Sequence, residues 1–287
     1  MKHIIIPTAN TTDKCKEYLD NCLASIRAGG YYENGYHVII AYDNVDQEFQ
    51  DYFKKKYNGD FIVAIDNKNV KNLNFAANSN SGLRIAYQAA QSTGDTDAHF
   101  IILNMDTILP PARAFNQVLG EGLSFPTPVD YSPKVDPESL IDFSDLQGKV
   151  QTVLDAWGAR ESKDCRAGTA QRTPVTKFSG FCMCLSYKLV EKIGFLDEHF
   201  PGSFNDDCIA ARALLAGFPV EVVSVDVHHE LKNRTEPSNT GAYDHAELGL
   251  GLEKFRRKYS IPHYIQHEQF NNWIVDNHKW IPEMRCE

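Results

Sequence analysis

Asn104-Met105-Asp106 sets an amide oxygen and a carboxylate two residues apart, just past an apolar run. In extended backbone residues i and i+2 point the same way, so Asn104 and Asp106 could face one divalent ion and the diphosphate beneath it. An Asx turn closing the strand would use the same residues without a ligand. Asn205-Asp206-Asp207 falls at a helix start. Asp206 or Asp207 could be a helix cap there, or a general base at a pocket edge that takes a proton from a hydroxyl nucleophile. Val227-His228-His229-Glu230 follows another apolar run. Adjacent histidines on a strand point apart, so one of His228 and His229 can serve a metal while the other faces away.

Other templates fail. Gly148-Lys149 is followed by Val150, so there is no phosphate-cradling GxxxxGK[ST] loop, and Gly249-Leu250-Gly251 lacks the third glycine of a dinucleotide fingerprint. Neither a GxSxG elbow nor an HExxH pair occurs.

The elements that must carry these residues alternate between short apolar runs and helical periodicity, as βα units of a mostly parallel sheet do. Strands are predicted at residues 3–6, 38–42, 61–65, 99–103, 178–185 and 220–225. A helix capped by Thr11 or Thr12 should present Cys15, Leu19, Cys22, Leu23 and Ile26 to the sheet and stop at Gly29-Gly30. Further helices are predicted at 45–57, 78–91, 187–193 and 207–216. In open α/β sheets ligands bind beyond the carboxyl ends of the strands, where Asp43 and Asp106 both sit. Residues 120–176, broken by Pro126, Pro128, Pro133, Pro137 and Pro174, read as an insertion over one face.

The 287 residues are 43% hydrophobic and 23% charged, which suits one large globular domain and excludes disorder and fibrous repeats. With 29 Lys+Arg against 38 Asp+Glu the net charge is −9, which disfavours a duplex-wrapping nucleic-acid binder and calls for a cation wherever a diphosphate is bound. Seven cysteines with no CxxC pair predict reduced thiols and a cytoplasmic protein. No apolar run approaches the ~18 residues of a membrane span.

Taken in order, IIIPTAN, VIIAYDN, NFAANSNSGLRIA, FIILNMDT, FSGFCMCLSYKLVEKIGFLDEHF, FNDDCIAARALLAGF and VDVHHE resemble the inverting family 2 glycosyltransferases of the GT-A fold, rhamnosyltransferase-like members in particular. The resemblance covers about residues 3–119 and 177–230. It implies a GT-A type mixed, mostly parallel sheet flanked by helices, with a Rossmann-like nucleotide-binding half and an acceptor-binding half. The domain would span 1–230 with the insertion at about 120–176, and 231–287 would form a helical extension packed on it.

By the same resemblance, Pro7, Thr8 and Asn10 correspond to the first nucleotide-contacting turn, and Asp43 to the acidic residue that meets the base and ribose. Asn78 to Gly82, with Asn80, correspond to a turn beneath the nucleotide. Asn104 and Asp106 match the metal-binding DxD motif, with an amide in place of the first carboxylate. Ser179-Gly180, Gly194, Phe195 and Asp197 fall in the acceptor-side segment. Aligning Arg212 and Gly217 makes Asp206 the catalytic base and Asp207 its alternative. Cys208 then takes a position that is acidic in the family. His228 matches the metal-binding histidine, with His229 in reserve.

The implied activity is metal-dependent transfer of a sugar, with inversion, from a UDP or dTDP sugar to an acceptor hydroxyl, on a saccharide by default. The metal would be Mn2+ or Mg2+, with manganese the more usual partner of an imidazole. A hydroxylated nucleobase or a protein side chain as acceptor, or a non-catalytic binding protein of the same fold, are the alternatives. A nucleic-acid acceptor is not indicated. A nucleotidyltransferase would need a glycine-rich basic loop that residues 7–14 lack.

Overall fold

A computed structural model describes residues 1–9, 12–43, 45–64, 74–129, 172–174, 180–200, 204–229, 245–266 and 269–277. Among the described residues nine strands form one sheet: β1 (Lys2–Ala9), β2 (Tyr36–Asp43), β3 (Phe61–Ala64), β4 (His99–Leu103), β5 (Thr107–Ile108), β6 (Leu123–Val129), β7 (Arg172–Pro174), β8 (Cys182–Ser186) and β9 (Val220–His229). Their order is β3-β2-β1-β4-β8-β6-β9-β5, with β7 also on β9. β1, β2, β3, β4, β6 and β9 run one way, and β5, β7 and β8 run against them. The sheet is mixed and mostly parallel, as expected.

Along β1 alternate side chains enter opposite faces. Ile4 and Ile6 pack under α1 (Asp13–Ala28) and α2 (Gln47–Lys56), with Leu19, Cys22, Phe49 and Phe53. Ile5 packs on the other face under α3 (Phe75–Thr93), with Leu83 and Ala86. Thr12 caps α1 by accepting the Cys15 N–H at 3.2 Å, and Asp46 caps α2 at 2.7 Å to Phe49 N. α3 lies close on the sheet because Gly82 has no side chain: a Cβ there would stand 2.5 Å from Ile5 Cγ2. Gly82→Ala should therefore lower the melting temperature by several degrees in a thermal scan. Overpacking costs about 1–3 kcal/mol, against the ~1 kcal/mol that alanine gains in a helix interior.

Three differences from the sequence expectations matter for the site. First, Asn74 caps α3, accepting the Ala77 N–H at 2.9 Å, so Asn78 to Gly82 lie inside the helix rather than in a turn. Second, the proline-rich stretch opens with β6, a strand of the main sheet. Among the described residues β8 borders β6 only at Leu123 and Ser124, so Pro126 and Pro128 lie beyond that pairing, where a missing N–H is tolerated. Third, β9 continues to His229 with a register shift, Pro126 facing Val223 and Thr127 facing Asp226. A bulge bends a strand. Only residues 104–106 join β4 to β5, and β5 pairs with His228 and His229, so the bend carries the end of β9 back over the carboxyl end of β4.

After β5 come α4 (Ala112–Phe115), α5 (Tyr187–Ile193), α6 (Asn205–Leu215), α7 (His245–Lys258) and α8 (Phe270–Asn277). Phe255 of α7, Tyr259 just past its end, and Phe270 and Ile274 of α8 bury Cys208 and Ala211 of α6 in a third apolar cluster. Among the described residues no helix is long and apolar enough to cross a membrane. Cys15, Cys22, Cys182, Cys184 and Cys208 are free and buried.

Candidate active site

The expected nucleotide-binding residues gather at the carboxyl ends of β1 and β2. β1 runs to Ala9, level with Asp43, so Pro7 and Thr8 are buried strand residues rather than part of a turn. Asn78 donates to the Thr8 carbonyl at 3.4 Å, and its own amide oxygen is buried with no hydrogen-bond partner among the described residues. Asp43 is 2% exposed. Asn80 is used internally: it donates to the Leu196 carbonyl and to Glu198 Oε1, and accepts the Leu196 N–H, each at 2.9 Å. Asn10, Ser179 and the aromatic residues Tyr131, Phe143 and Trp157 of the insertion lie outside the described residues.

Past β4 the chain turns at Met105–Asp106 instead of staying extended, so the same-side argument for Asn104 and Asp106 does not hold in the fold. What the turn does is bring Asp106 against the returning β9. His229 Nε2 lies 3.3 Å from Asp106 Oδ1, and His229 is 6% exposed. The expected ligand was His228; it is the neighbouring side chain, turned to the other face of β9, and is also buried. The thiol of Cys22 on α1 is held well above its ordinary pKa by burial, with the Asp106 carboxylate adding to the effect.

A carboxylate oxygen and an imidazole nitrogen 3.3 Å apart match two neighbouring ligands of one divalent ion, each at about 2.1 Å. The donor set fits a metal that accepts both oxygen and nitrogen. Among the described residues no group of three or more His, Cys, Asp or Glu side chains is placed to hold a metal.

The base candidates stand in the first turn of α6. Phe204, not Asp206 or Asp207, is the cap residue, with left-handed backbone at φ 63° and no capping bond from its side chain. For a bulky residue that conformation costs about 1–3 kcal/mol, a strain typical of functional sites. Asp206 is half-buried. Burial and the neighbouring Asp207 charge push its carboxyl up to about 7, against the backbone N–H groups of Asp207, of Asp206 itself and of Gly180, which favour the ionised form. Asp207 N reaches Asp206 Oδ1 at 3.1 Å. Gly180 is needed for this approach, since a Cβ there would lie 2.8 Å from Asp206 Oδ2. Asn205 is 4% exposed, and among the described residues neither of its amide atoms has a hydrogen-bond partner.

Cys208, expected to stand at an acidic position, faces Asp197 across 3.7 Å. Asp197 receives the Lys258 ammonium of α7 as well as the backbone N–H of His199 at 3.0 Å. Burial alone would raise this carboxyl, but the ammonium and the His199 bonds outweigh it and hold it at about 2. The pair adds stability that is full above about pH 4, the unfolded value, and is lost as pH falls from there toward 2. Lys258→Met leaves the buried Asp197 carboxylate its His199 bonds but removes the ammonium, and should cost about 1–3 kcal/mol at neutral pH, with the acid-side decline flattened in melts taken from pH 2 to 6. Arg256 is occupied too, donating to the carbonyls of Pro262 and Ile265, whereas Arg257 is exposed.

Phe181 stands between the two groups. Its ring stacks on His229 with centroids 4.6 Å apart and planes 16° from parallel, and its carbonyl accepts the Asn104 N–H at 2.8 Å. Sequence reasoning missed it inside the apolar run FCMCL, although a lone aromatic directly after Gly180 was the available signal.

No protein-family model and no curated protein matches the sequence. Solved structures do resemble the fold. One is the mannosyltransferase PcManGT of Pyrobaculum calidifontis in complex with GDP-Man and Mn2+, with TM-score 0.55 and 13% identity, over 96% of this chain and 72% of that one. Another is residues 1–349 of S. aureus TarS in complex with UDP, with TM-score 0.54 and 12% identity, over 96% of this chain and 69% of that one. Against a longer TarS chain the match spans 42% of its length. The chain has the α/β fold of GT-A glycosyltransferases.

Proposed function

We propose that the protein is a metal-dependent inverting glycosyltransferase, moving a sugar from a nucleotide-diphosphate donor to an acceptor hydroxyl. The observation that carries this reading is one continuous arrangement: the Asp106–His229 pair and the enclosed Asp206 carboxylate, joined by Gly180–Phe181 beyond the carboxyl end of β4. The two solved structures are of proteins that hold GDP-Man with Mn2+, and UDP.

Asp106 and His229 would hold a divalent metal, with Asn104 as a neutral oxygen donor nearby; His228 is the ligand that the family resemblance favours. Bound there, the metal supplies positive charge against the departing diphosphate, usually the largest single contribution in such a reaction. Thr8, Asn78 and Asp43 line the nucleoside end. Asp206, with its proton affinity raised, takes the acceptor proton as the hydroxyl attacks the anomeric carbon from the side opposite the leaving group, and the centre inverts. Asp207 keeps that affinity high. A saccharide is the acceptor class that fits this reading, and the protein works in the cytoplasm.

The test measures nucleoside diphosphate release from UDP, GDP and dTDP sugars, with Mn2+, with Mg2+ and with chelator. Water or added glycosides serve as acceptors. Metal-dependent release from one nucleotide class is expected. A protein that binds none of these donors and releases nothing from them is not a glycosyltransferase.

A further inference from the structure

We propose that Phe181 is the positioning residue of this site: its ring fixes the plane of the His229 imidazole, and its backbone joins the Asp106 turn to the segment that touches Asp206. The inference rests on the metal reading given under Proposed function. The lone pair of an imidazole nitrogen lies in the ring plane, so the direction in which His229 can bind a metal is set by rotation of its ring. Phe181, 2% exposed, covers one face of that ring nearly parallel to it, at 4.6 Å between centroids and 16° between planes. His229 Nε2 is thereby left 3.3 Å from Asp106 Oδ1. The backbone of Phe181 is anchored as well, through the 2.8 Å bond from Asn104 N to its carbonyl. The residue before it, Gly180, lies directly against the Asp206 carboxylate. Tilting the Phe181 ring would turn His229, and shifting its backbone would move the Asp206 contact.

An aliphatic side chain of similar volume fills the space but offers no flat face. The experiment measures affinity for Mn2+ together with UDP, and with GDP, by calorimetry on the full chain for Phe181→Leu, Phe181→Tyr, His229→Ala and the double variant Phe181→Leu/His229→Ala. Phe181→Leu should weaken Mn2+–nucleotide binding about tenfold, the usual effect of losing a group that orients a ligand. Phe181→Tyr should stay within about threefold of wild type. In the His229→Ala background Phe181→Leu should change nothing further, because it acts through that ring.

Binding within twofold of wild type for Phe181→Leu, alongside a collapse for His229→Ala, overturns the inference and leaves the metal reading standing. Unchanged Mn2+ affinity in His229→Ala, or none in the wild type, overturns both. An equal loss in Phe181→Leu and Phe181→Tyr, or a loss that persists without His229, marks Phe181 as mere packing and also overturns it. Should Phe181→Leu fail to fold, Phe181→Met carries the same comparison.

Discussion

Asp206→Asn is expected to abolish measurable transfer while making the protein more stable. Loss of a general base lowers turnover by roughly 10²–10⁴, and an amide keeps the shape and can still accept the N–H bonds at the helix start. The gain in stability follows from linkage. Burial and Asp207 raise the folded pKa of Asp206 to about 7, above an unfolded value near 3.9, so ionising it works against the fold. That penalty grows from about pH 4, is complete near pH 7 and stays constant above. Thermal melts at pH 5 and pH 8 should thus show a larger advantage of Asp206→Asn over wild type at pH 8. Wild-type turnover should rise through the same range as the base ionises. Asp207→Asn should remain active with its acid limb displaced to lower pH, since the repelling charge is gone. If Asp207→Asn were the dead variant and Asp206→Asn the active one, the assignment would be off by one residue.

The second large effect concerns the metal pair. Mn2+ with a nucleoside diphosphate at ~100 times its dissociation constant should stabilise the wild type by about 2.7 kcal/mol. A hundredfold weaker affinity leaves about 0.4 kcal/mol at the same concentration, close to no visible shift in a melt. Asp106→Ala and His229→Ala should behave this way, and His228→Ala should keep most of the shift, because His229 is the histidine brought to Asp106. Retention of the shift by His229→Ala together with its loss in His228→Ala would restore the residue that sequence alone favoured.

Local signals in the sequence located most elements. β4 and α5 have the bounds predicted, since an apolar run ending at a polar residue and a helix begun by Ser186 depend on nothing distant. β6 was obscured by Pro126 and Pro128, which a strand tolerates only where a neighbour is missing, and that is a property of the sheet. The start of α3 was blurred because Asn74, Asn78, Asn80, Ser79 and Ser81 can all cap and only Asn74 does. Residue type and spacing brought out Asp106 and left Asp206 and Asp207 as alternatives, between which the family resemblance favoured Asp206. The partner of Asp106 was harder: whether His228 or His229 faces it depends on the bend in β9, set by a register shift against β6 about a hundred residues earlier in the chain. Gly180 and Phe181 likewise gain their meaning only from what the fold lays against them.

Asn80 has a mechanical consequence. By donating to the carbonyl of Leu196 and accepting its N–H, the amide behaves like one more strand residue paired with that loop. Sliding α3 past the loop would break both bonds at once, each contributing about 1 kcal/mol, and would expose buried polar atoms on both sides. Shear at this seam is therefore disfavoured by about 2 kcal/mol in these bonds alone, which favours keeping α3 and the Leu196 loop together. On the proposed reaction, reach would then be a criterion of selection: an acceptor would have to carry a hydroxyl to Asp206 by its own dimensions.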